Sequence, residues 1–91
     1  MISITNSIGL KENLQLLLDN KEDKNIYNEV ISAMYKYKWY NFYQNTHIKA
    51  GSPEDIENEK IFKDIEDNYP EIHIEVEQLI DNEIDRIDNE D

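Results

Sequence analysis

Two helix starts lie in the stretch SPEDIENEKIFKDIEDNYPEIHIEVEQLIDNEIDRID, residues 52–88, and they decide the predicted fold. At the first, Ser52 can cap the backbone and Pro53 suits the first helical turn. The acids that follow favour the positive end of a helix. At the second, Pro70 ends one helix and can begin another. The stretch therefore predicts two consecutive helices.

The apolar residues of the second of these helices fit two patterns. One side of a helix would carry Ile72, Val76, Leu79, Ile80 and Ile87. Residues 72–76 also alternate apolar with polar side chains, as a strand does, and so do residues 2–5. We predict the helix, because the helical period continues past Leu79, and Ile74 is then left on the acidic side. The alternative is an α+β fold with a short two-stranded sheet formed by residues 2–5 and 72–76.

The first half of the chain predicts two further helices. The first runs from Ser7 or Gly9 to Asp19, with leucines at helical spacing, and the second from about Glu22 to Asn45. The chain has only two Gly and two Pro, whereas an all-β fold needs turn residues every few positions. We therefore predict an all-α domain of three or four helices over residues 1–91, packed around the second helix.

Charge is divided unevenly between the two halves of the chain. Residues 52–91 carry sixteen Asp and Glu against three Lys and Arg, whereas residues 1–51 carry five acids and six Lys. The net charge is −12. Such a block of like charge repels itself and lowers the stability of a compact fold. We interpret residues 1–51 as a near-neutral, aromatic-rich scaffold and residues 52–91 as the working, acidic helical half.

The acids of the two later helices form stripes opposite the apolar faces. We predict that a partner binds Glu57, Asp64, Asp67, Glu77, Asp81, Asp85 and Asp88. Residues four apart on a helix lie about 6 Å apart along its axis, which is comparable with the spacing of successive phosphates. Like charges at this spacing destabilise a helix, so the pattern favours a surrogate for a nucleic-acid backbone over a surface that only keeps the protein soluble.

Aromatic residues give a second, competing interface. They cluster near the end of the second helix, at Tyr35, Trp39, Tyr40 and Tyr43. Tyr and Trp are enriched at protein interfaces, although a small domain also needs them for its core. The alternative function is therefore an interaction module or oligomer that uses residues 34–43, with the acidic half only solubilising. Under this alternative the protein could form a homodimer.

Several classes of function lack a sequence signal. The chain has no Cys, no nucleophile or phosphate-loop motif, and only the isolated His47 and His73. We expect no enzyme activity, no cofactor and no metal. The N-terminus has no signal-peptide pattern and no apolar run of membrane length, so we expect a cytoplasmic protein. Nucleic acid and anionic membranes repel a negative protein, so the expected partner is a basic surface, such as a nucleic-acid-binding enzyme or complex.

Two resemblances accompany these patterns. The helix start at Ser52, Pro53 and Glu54, beside an acidic helix, resembles bacteriocin-nuclease immunity proteins, which are small, acidic and helical. The overall charge pattern is similar to phage-encoded nucleic-acid-mimic inhibitors, among them anti-CRISPR and anti-restriction proteins. These resemblances imply a phage or bacterial inhibitor of a basic enzyme. The likeness is one of composition, so it assigns no role to an individual residue.

Overall fold

The computed structural model describes residues 2–40 and 51–89, and within them it contains four helices and no strand. The helices are α1 (Ser7–Asp19), α2 (Lys24–Lys38), α3 (Pro53–Asn68) and α4 (Pro70–Asn89). The prediction of an all-α domain is confirmed. The alternative two-stranded sheet of residues 2–5 and 72–76 is wrong, because residues 72–76 lie inside α4.

Polar side chains cap three of the helices. The Asn6 side chain accepts a hydrogen bond of 2.7 Å from the Gly9 amide at the start of α1. Asp23 does the same for α2, and Ser52 accepts from the Asp55 amide at 3.2 Å at the start of α3. These oxygens satisfy amides that have no partner within the helix. The predicted role of Ser52 is confirmed.

Helix α2 differs from its predicted bounds at its start. It begins at Lys24 rather than at Glu22, because Asp23 caps it. After Lys38 the chain continues through Trp39 and Tyr40 in a wider, π-type turn. The predicted end at Asn45 lies outside the described residues.

The fold consists of two helical hairpins packed side by side. Helix α1 packs against α2 and α3, and helix α4 also packs against α2 and α3. The buried apolar core is Ile4, Leu10, Leu14, Leu17, Val30, Ile31, Ala33, Met34, Tyr37, Ile61, Phe62, Ile65, Ile72, Val76 and Ile80. All four helices contribute to this core, and the acidic half supplies two of them. Its charges are therefore attached to helices whose inner faces are packed.

One polar pair lies inside this core. Asn58 of α3 is fully buried, and its side-chain oxygen accepts a 3.0 Å hydrogen bond from the Tyr37 hydroxyl of α2. The Asn58 amide nitrogen finds no hydrogen-bond partner among residues 2–40 and 51–89. An unsatisfied buried donor lowers stability, so the pair adds little to the free energy of unfolding. Its main effect is to fix how α2 meets α3.

We expect Tyr37→Phe to lower the free energy of unfolding by about 1–3 kcal/mol, because both polar atoms of Asn58 are then buried without partners. The double variant Tyr37→Phe/Asn58→Leu is expected to recover most of this loss, since apolar groups then replace both partners. Chemical denaturation of the wild type and both variants measures the effect. A double variant no more stable than Tyr37→Phe alone would contradict this explanation.

Candidate protein-binding surface on helix α4

Three glutamates of α4 contact groups within the protein. The Tyr27 hydroxyl of α2 donates a hydrogen bond to Glu75. Glu77 forms an ion pair with Lys38 of α2. Glu83 accepts a 3.2 Å hydrogen bond from the Arg86 Nε and also forms an ion pair with Arg86. Glu75 and Glu77 therefore hold α4 to α2, whereas Glu83 is neutralised by Arg86 on α4 itself.

The tyrosines beside these acids have altered acidity. Burial, and then the hydrogen bond to Glu75, raises the pKa of Tyr27 to about 12. Burial, and then the nearby charge of Glu83, raises the pKa of Tyr35. The hydrogen bond from Arg86 is the largest influence on Glu83 and lowers its pKa. Tyr27 and Tyr35 therefore stay neutral at neutral pH where they face α4.

Alkaline pH is expected to weaken the fold through Tyr27. Its pKa of about 12 in the folded protein lies above the ordinary value of 10.0, so the folded state holds this proton more tightly than the unfolded state. The contribution to stability is complete below pH 10 and is lost as the pH rises from 10 towards 12. Thermal melts from pH 9 to 12 should show this decline, and Tyr27→Phe should make it shallower. An equal decline in both proteins would contradict the assignment.

Three aspartates of α4 have a different environment. Asp81, Asp85 and Asp88 are exposed, and no described residue forms a hydrogen bond or ion pair with their side chains. At 100° per residue they fall on one stripe of the helix, which Ile74 (54% exposed) continues towards the N-terminus. The sequence-predicted acids of α4 thus separate into Glu77, which is paired with Lys38, and the outward face of α4, defined as Asp81, Asp85 and Asp88.

The predicted acids of α3 have partners of varying strength. Glu57 forms a 2.7 Å ion pair with Lys11 of α1, and this bond lowers the pKa of Glu57. Asp64 accepts a 2.5 Å hydrogen bond from Asn68 on the same helix. Asp67 lies 3.5 Å from Lys63, also on α3. Exposed pairs of this kind contribute little, so Asp64 and Asp67 stay available to a partner.

The predicted aromatic interface is only partly exposed. Tyr35 and Trp39 are half-buried and pack against the core, whereas Tyr40 is 43% exposed. Tyr43 lies outside the described residues. The described aromatic side chains therefore serve the core more than an outward surface, and Tyr40 is the most accessible of the three.

Sequence reasoning missed the two α2 residues that hold α4. Neither Lys38 nor Tyr27 is among the residues that the sequence predicts for a binding site. Lys38 lies 5.1 Å from the centre of the Phe62 ring and is 14% exposed. The position of Lys38 between Tyr37 and Trp39 was the available signal, since an amine that packs among aromatic side chains needs a carboxylate.

Other kinds of site find no support in the described part of the chain. None of its helices combines the length and apolar character needed to cross a bilayer. Residues 2–40 and 51–89 hold no group of three or more His, Asp or Glu arranged to bind a metal ion. Comparison with protein-family models, curated proteins and solved structures finds no match to this chain.

Proposed function

We propose that this protein inhibits a nucleic-acid-binding enzyme or complex by occupying its basic site in place of phosphate groups. The inhibitor binds through the outward face of α4, with Asp64 and Asp67 of α3 as secondary contacts. It performs no chemistry of its own. In composition it resembles nuclease-immunity and phage anti-defence inhibitors, and this class supplies the kind of partner proposed.

One observation carries the proposal: the outward face of α4 holds three carboxylates that lower the stability of their own helix. Asp81 and Asp85 are like charges four residues apart, and Asp85 and Asp88 are three apart. Asp88 also lies in the last turn of α4, where the negative end of the helix dipole disfavours an anion. A helix selected only for stability would carry lysine or arginine near this end. Three aspartates on the outward face therefore favour a role in binding.

The chemistry of the side chains agrees with this role. Glu75 and Glu77, the acids of α4 that contact α2, are glutamates, whose longer chains reach a partner helix, whereas the three acids of the outward face are aspartates. Aspartate has one fewer rotatable bond, so its carboxylate stays closer to a fixed position. Along the axis, Asp85 lies about 6 Å from Asp81 and about 4.5 Å from Asp88. Charges held at such separations can replace a row of phosphates in a groove lined by Lys and Arg.

A displacement assay tests the proposal. Fluorescent duplex DNA and single-stranded RNA are bound to a panel of purified basic nucleases and DNA-binding proteins, and the protein is added as competitor at several salt concentrations. We expect displacement that weakens steeply with salt for at least one panel member. The variant Asp81→Asn/Asp85→Asn/Asp88→Asn is expected to compete at least about tenfold less well.

The matched control removes the same charge from the near-neutral half. Glu12, Glu22 and Glu29 are exposed residues of the first two helices and their connection, and their amide variants lower the net charge equally. If this control loses competition as much as the outward-face variant, total charge alone explains binding. If neither variant changes competition, the acidic face is not the binding surface.

A further inference from the structure

We draw no further inference here: the strongest candidate, the surface patch on α4 where the exposed Ile74 continues the stripe of the outward face towards the N-terminus, rests on a single apolar side chain beside an acidic cluster, and nothing in the structure shows what covers it.

Discussion

Replacing Asp81, Asp85 and Asp88 with asparagine is expected to make the protein more stable while it binds its partner less well. The substitutions remove two like-charge repulsions on one helix face and an anion from the negative end of α4. Together these effects raise the free energy of unfolding by about 1–2 kcal/mol at low salt. For a domain of this size the melting temperature then rises by roughly 5–10 °C.

The opposite signs of the two effects make this a sharp prediction. A substitution that damages the fold lowers both stability and binding, whereas a residue kept for binding alone can lower one and raise the other. Thermal melts at low and high salt measure the first effect, and the stabilisation should shrink as salt screens the repulsion. A variant that melts at or below the wild-type temperature would contradict the claim that these carboxylates strain α4.

Lys38→Met is expected to be the most damaging of the charge-removing substitutions. Lys38 and Glu77 are 14% and 30% exposed, so the variant leaves a half-buried carboxylate without its cation. Methionine keeps contact with Phe62 but gives up the interaction between the ammonium and the ring. Breaking a fully buried pair costs about 3–5 kcal/mol, and we expect about 2 kcal/mol for this half-buried one.

The pair between Lys11 and Glu57 is the matched control. Its side chains are 59% and 38% exposed, and a solvated pair contributes at most about 1 kcal/mol. Urea denaturation of Lys11→Met and Lys38→Met should therefore separate the two, and Lys38→Met/Glu77→Leu should recover much of the loss. Equal losses from both single variants would show that the pair at Lys38 is no more buried in solution than the surface pair.

Most of the fold followed from local patterns in the sequence. Ser52 and Pro53 begin α3 where predicted, and Pro70 begins α4, because capping and proline geometry act over a few neighbouring residues. The alternation at residues 72–76 fitted both a helix and a strand, since either structure would bury Ile72 and Val76. Helix formation prevailed because Ile80 continues the buried face, and it left Ile74 exposed.

The candidate surface was less predictable, because its composition depends on neighbouring helices. Spacing alone placed Glu77 and Asp81 on one stripe, and nothing local distinguishes them. Only the packing of α2 against α4 places Lys38 beside Glu77, and only the packing of α1 against α3 places Lys11 beside Glu57. Asp81, Asp85 and Asp88 are the predicted acids of α4 to which this arrangement brings no cation from the described residues.

The separation on α4 between the glutamates that contact α2 and the aspartates of the outward face also affects how the chain tolerates mutation. Asp81, Asp85 and Asp88 contribute nothing to packing, so their replacement does not disturb the core. Under the proposed function, mutations at these three codons would change which partner is bound without the loss of stability that usually limits evolutionary change. An inhibitor of the proposed kind could therefore adapt to a changing basic groove by point mutation on this face, while Tyr27, Lys38 and the core stay constant.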